Sequence, residues 1–167
     1  NLILKVIRAC QSGVSEKFVR MSDDQVFLKP ISVKDMKPYY LYDLKFRTDY
    51  RNRWAKRLEN TKNILLSENK STYNYESHYP MVYDRDSFVR VMKRERVTIN
   101  TYYFNSVLEK HEKIPENYKL TVEEPLDRID DRVFYSVFLG YNDRGIRTGV
   151  LKEILQRFFP EKCFFEI

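Results

Sequence analysis

Residues 39–66 constrain the fold more than any other stretch, because they change period once and keep an apolar face through the change. In an extended backbone Tyr40, Tyr42, Leu44 and Phe46 share one side, and Tyr39, Leu41, Asp43, Lys45 and Arg47 the other. That period of two predicts a strand over 39–47, covered on one side. Thr48 or Asp49 then suits the N-cap of a helix. In that helix Trp54, the only tryptophan, shares a stripe with Leu58 and Leu65, with Ala55 beside it. Arg51, Arg53, Lys56, Arg57 and Lys62 take the remaining sides. From Lys45 to Lys62 there are seven basic and two acidic residues, an excess of five positive charges out of a net +6 for all 167 residues. The positive charge is concentrated here.

The flanking segments read as further small elements. Residues 2–10 (LILKVIRAC) fit a helix or a buried strand, and the strand is preferred. Residues 18–33 resemble a hairpin, with Ser22, Asp23 and Asp24 as its turn and Pro30 at an edge or strand end. The polar run 67–78 (SENKSTYNYESH) has no period and reads as an exposed loop. Short strands are expected at 79–83 and 87–92. The run 97–104 (VTINTYYF) is β-branched and aromatic, which predicts a strand pairing with 118–125. A helix is expected over 129–139, then a glycine-rich loop over 140–149. Val150, Leu151, Ile154, Leu155, Phe158 and Phe159 form a broad stripe of a helix that Pro160 stops. A final strand is expected at 163–167.

Together these elements predict an α+β fold: a mixed or antiparallel sheet with a basic helix and a C-terminal helix packed on it. A lobe over 1–125 and a helix and strand over 126–167 would share one core. No apolar run approaches the ~18 residues of a membrane span, so no membrane partner is expected. The first residue is Asn1, no basic–apolar–small pattern comes after it, and we expect no signal peptide but a piece of a longer polypeptide. Cys10 and Cys163 are the only cysteines and are expected as reduced thiols of an intracellular protein, in cytoplasm or nucleus.

Chemistry is sparsely signalled. Two cysteines with His78 and His111 at no ligand spacing leave a structural zinc site almost nothing to use. No nucleophile elbow is present, and Gly140, Gly145 and Gly149 lack the Gly-Lys-Ser/Thr ending of a phosphate loop. Glu123, Glu124, Asp127, Asp130 and Asp131 are local to one stretch with Arg128 and Arg132 among them, which fits a solvated turn and helix start better than a two-metal nuclease. We therefore expect no enzyme activity and no cofactor. What remains is a combination of cations and aromatic rings. Lys45, Arg47, Arg51, Arg53, Lys56 and Arg57 form one basic set, and Arg90, Lys93, Arg94 and Arg96 another. Tyrosine and phenylalanine near such sets can stack on bases.

The order of units resembles the amino-terminal part of Argonaute proteins, the N domain and the start of the first linker, over roughly residues 26–165. VFLKPISV precedes the Tyr-rich YYLYDLKF, and a basic helix comes next. MVYDRDSF stands where the family has a Tyr-Asp-Gly motif, with Arg85 in place of the usual glycine. VTINTYYF and YKLTVEEPLDRID stand where the family has paired strands. Residues 150–160 and the Cys163-Phe164-Phe165 run are similar to its linker helix and the strand after it, without the glycines before the Phe pair. The divergent, worm-type members look most alike. The resemblance implies a region without guide-anchoring or slicer domains. It would frame the channel for a small guide RNA and its target and wedge or block the far end of their duplex. The basic helix would face that channel. The alternative reading is a protein-interaction module, extended Tudor-like or winged-helix, in a larger ribonucleoprotein assembly.

Overall fold

Of the two periods in 39–66 only the helical one persists. The computed structural model describes residues 2–22, 24–94, 96–116, 118–122 and 132–161. The alternating stretch keeps two strand residues, β3 (Tyr39–Tyr40), and then closes into a 3-10 turn at Leu44–Phe46. The next helix, α2 (Arg53–Ser67), buries Ala55, Leu58, Thr61 and Leu65. Asn52 caps it, its side-chain oxygen accepting from the Ala55 amide at 2.7 Å, so neither Thr48 nor Asp49 is the cap. Trp54 belongs to the buried stripe by phase, but it sits in the open first turn and is 43% exposed.

The chain divides into two units that alternate along the sequence. Unit 1 gathers Asn1–Arg20, Val33–Ser77 and Met81–Ile114; unit 2 gathers Met21–Ser32, His78–Pro80 and Pro115–Ile167.

Unit 1 is mostly helical. Residues 2–10 form a helix, α1 (Leu2–Gln11), correcting the preferred strand. Strand β1 (Lys17–Arg20) pairs antiparallel with β4 (Met81–Asp84), Lys17 opposite Asp84. Asp84 then caps α3 (Arg85–Val91), its carboxylate accepting from the Ser87 amide at 2.8 Å, so the strand expected at 87–92 is a helix. The largest correction is α4 (Ile99–Val107), which replaces the strand expected at 97–104. Its residues from Ile99 to Asn105 are all buried. A helix enclosed on every side shows no polar face, and this removes the 3.6-residue signal from its sequence. It packs against α2 and α3. β3 pairs in parallel with β5 (Glu112–Lys113).

The polar run 67–78 is largely inside. Thr72, Asn74, Tyr75 and Ser77 are buried. Side chains of α4 satisfy its extended backbone. Asn105 accepts from the Tyr73 amide at 3.0 Å and donates to the Tyr73 carbonyl at 2.7 Å. Thr101 accepts from the Tyr75 amide at 3.1 Å, and Asn100 donates to the Tyr75 carbonyl at 3.3 Å. The polar residues of this run and of α4 therefore serve each other rather than solvent.

Unit 2 holds a three-stranded sheet. β2 (Gln25–Phe27) lies antiparallel to β7 (Phe138–Tyr141), and β6 (Lys119–Val122) lies parallel to β7 on its other side. The hairpin expected at 18–33 does not form: β1 and β2 pair with β4 and β7 instead. β6 likewise takes β7, not 97–104, as its partner. Of the helix expected over 129–139, the described residues hold α5 (Arg132–Tyr135), and Phe138 and Leu139 belong to β7. The glycine-rich stretch contains α6 (Asp143–Arg147), capped by Asn142. Gly149, at a φ of +77°, leads into α7 (Val150–Phe158), the helix expected there. Val150 and Ile154 of α7 join Leu28, Val133 and Leu139 in the core, so this helix does pack on its sheet. A Cβ on Gly140 would stand 2.9 Å from Cε of Lys119, so a side chain there would displace the end of that lysine. The chain is thus a mixed α+β protein. The strand expected at 163–167, Cys163 and the acidic run 123–131 lie outside the described residues.

Candidate nucleic-acid interface

The segment before α2 is pinned from below. Leu41 donates its amide to the Asn74 carbonyl at 2.8 Å, Asn74 returns a bond to Tyr42, and the Leu44 amide donates to Thr72 at 2.9 Å. Leu44 is fully buried. The Asp43 carboxylate accepts from the Lys45 amide at 3.0 Å and from the Thr72 hydroxyl. The Tyr50 hydroxyl donates to the Leu44 carbonyl at 3.1 Å, closing the turn from the far side. With Leu44 turned inward, the next two side chains point out. Lys45 is exposed, and Phe46 is 84% exposed.

Arg47 folds back into this turn. It donates through Nε to the Asp49 carbonyl at 2.9 Å and through its guanidinium to the Tyr42 hydroxyl. Its guanidinium lies 5.9 Å from the Tyr42 ring centre and 5.5 Å from that of Tyr50, within cation–π range. Lys62, from the third turn of α2, lies 4.6 Å from the Tyr50 ring. Arg51 makes a two-pronged pair with Asp49, at 3.0 and 2.9 Å, and those bonds hold the Asp49 carboxyl below its usual range.

Arg53, Lys56 and Arg57 recur at helical spacing on the side of α2 opposite its buried stripe, and all three are exposed. Together with Lys45 they have no ion pair among the described residues. The first basic set therefore divides in two. Arg47 and Arg51 organise the turn, while Lys45, Arg53, Lys56 and Arg57 remain available.

The second set is scattered. Arg94 pairs with Glu68 at 3.1 Å. Glu68 caps the C-terminus of α2 and also takes Lys70 at 2.6 Å and the Tyr102 hydroxyl at 3.1 Å. Burial opposes the Glu68 charge, but hydrogen bonds from Lys70, Tyr102 and Arg94 outweigh it and hold its carboxyl below the usual value. Arg90 donates to the Ser87 hydroxyl at 3.3 Å. Lys93 and Arg90 line a cleft of about 560 Å³ with Cys10, Arg85 and Asp86. Arg96 holds a left-handed φ of 60°, and its carbonyl accepts from the Asn60 amide group at 3.0 Å. Asn60 lies one turn beyond Lys56 and Arg57, so Arg96 alone of this set is brought beside the free face of α2.

Phe46 and Trp54 are surface residues, although their phase in the sequence assigns both to the core. A signal of exposure was present: each is bracketed by cations, Phe46 by Lys45 and Arg47, Trp54 by Arg53 and Lys56. Among the described residues no three His, Cys, Asp or Glu side chains gather as a metal site. Neither a protein-family model nor a curated protein matches the chain.

Proposed function

We propose that this chain is a non-catalytic RNA-handling region of an Argonaute-like silencing protein, contacting a small guide RNA and its target through the outer face of α2. The observation that carries this is a set of four exposed cations that make no ion pair among the described residues, Arg53, Lys56 and Arg57 on the outer face of α2 and Lys45 in the turn before it, within a chain of net charge +6. Of the two acidic residues in that stretch, Asp49 is already engaged by Arg51, and Glu59 makes no ion pair with these four among the described residues. Such a face gains free energy by displacing counterions from a phosphate backbone. The order of basic helix and C-terminal helix supports the Argonaute-type reading, although only Tyr39–Tyr40 of the Tyr-rich strand stands before them. The run 97–104 does not, because it is helix α4.

The test is a titration of the whole chain with a small single-stranded RNA at several salt concentrations. Four phosphate contacts at about 0.7 each predict a slope of log affinity against log salt near −3. The double substitution K56E/R57E, on an exposed face, is expected to lower that slope by more than half and to reduce the small RNA recovered with the protein from cells. Unchanged slope and unchanged recovery would refute the proposal. A protein partner that survives nuclease treatment while RNA recovery is nil would put an interaction module in its place.

A further inference from the structure

We infer that what binds here is single-stranded RNA, its phosphates on the outer face of α2 and its unpaired bases stacked on Phe46 in the preceding turn and Trp54 at the helix start; this rests on the proposed RNA contact through α2. Phe46 is 84% exposed, more than any other large apolar side chain among the described residues. It is also held in place. Leu44 is fully buried two residues earlier, Asp43 caps the turn, and Tyr50 bonds across it to the Leu44 carbonyl. A bare ring on a fixed turn is a platform whose ordering cost is already met within the fold. Trp54 offers a second ring, 43% exposed, in the first turn of α2. Cations flank both rings in sequence; of these Lys45, Arg53 and Lys56, with Arg57 next along the helix, make no ion pair among the described residues.

Duplex RNA would use the cations and leave the rings idle. Its base faces are covered by their neighbours everywhere except at the ends, and its outer surface is phosphate and ribose. Unpaired bases present π-faces that a ring can cover without regard to sequence. An anionic membrane surface is the other partner that cations with a Phe and a Trp can serve. It needs a continuous apolar face, and the apolar stripe of α2 at Ala55, Leu58 and Leu65 is buried inside unit 1. The two exposed rings stand among charges, a pattern that suits spaced bases.

Trp54 is the only tryptophan, so its fluorescence reports directly on the start of α2. The whole chain is titrated with a single-stranded oligoribonucleotide of about 12 residues, its blunt duplex, an abasic strand of equal charge, and phosphatidylserine vesicles. The expected result is quenching of Trp54 by the single strand, with affinity at least tenfold above that for the duplex or abasic strand. Phe46→Ala is expected to weaken single-strand binding by about 5- to 150-fold with the salt slope unchanged. Its exposure means that the fold does not depend on the ring. If single strand, duplex and abasic strand bind equally and with the same salt slope, stacking is overturned and the phosphate-binding role stands. If no RNA binds in a salt-dependent way, or vesicles alone quench Trp54, both fall.

Discussion

His111 is the side chain of unit 1 whose surroundings most clearly make stability depend on pH near neutrality. Its Nδ1 lies 2.7 Å from the hydroxyl of Tyr75, and its ring centre lies 4.7 Å from that of Tyr73. Burial lowers its pKa from 6.5. Tyr75 is fully enclosed, and burial first, then the neighbouring Tyr40, Tyr73 and Glu112, raise its own pKa, so it stays a phenol and can donate to a neutral imidazole. The unfolded chain therefore takes up the His111 proton more readily than the folded one. The stabilisation from a neutral His111 is complete above pH 6.5 and is lost as pH falls through the lower folded value. Thermal midpoints taken from neutral pH down to about pH 5 are expected to decline, and His111→Gln is expected to flatten that decline. An equal decline in the variant would clear His111 of the effect. The carboxyls of Glu68 and Asp84 are held low and titrate below this window. At this scale the sequence misled at Phe46 and Trp54. Apolarity and phase put both on a core face, but neither tells where along a stripe the covering neighbours end.

Helix α4 shows how an element can hide its own type. Thr98, Ile99 and the Tyr102–Phe104 aromatics carry strand propensity, and burial all round removes the polar face that would have revealed a helix. Its three buried polar side chains, Asn100, Thr101 and Asn105, are used inside. Asn100 accepts from Arg20 at 2.8 Å and from the Tyr83 hydroxyl at 2.6 Å, and donates to the Tyr75 carbonyl. Asn100→Ala would strand all three groups, and we expect it to cost about 2–4 kcal/mol in urea unfolding. A loss below about 0.5 kcal/mol would mean that these bonds do not hold the segment against the helix. The elements α2 and α7 were legible because each has one buried stripe and one wet face. The run 67–78 was not, since its polar side chains and exposed backbone groups are answered by α4, a partner some 25–32 residues away.

On the scale of the whole molecule, the sequence order and the spatial order disagree. Ser22 to Asp24 carry turn chemistry, yet the strands on either side belong to different units. A turn signal states that the chain can reverse; it does not state which strand completes the ladder. The pairings described for unit 1 have both partners inside 1–20, 33–77 and 81–114. A chain ended after Ile114 is therefore expected to melt cooperatively by circular dichroism and to keep the emission maximum of Trp54. A red-shifted, non-cooperative species would show that unit 1 depends on residues 115–167. The same interleaving has a consequence on the ribosome. Lys17 of β1 waits for Asp84, and Val26 of β2 waits for Leu139. At about 5–20 residues per second the first strand stays unpaired for about 3–13 s and the second for about 6–23 s. Through that interval the nascent chain carries two open strand edges, and chaperones that cover them are expected to raise its yield in cells.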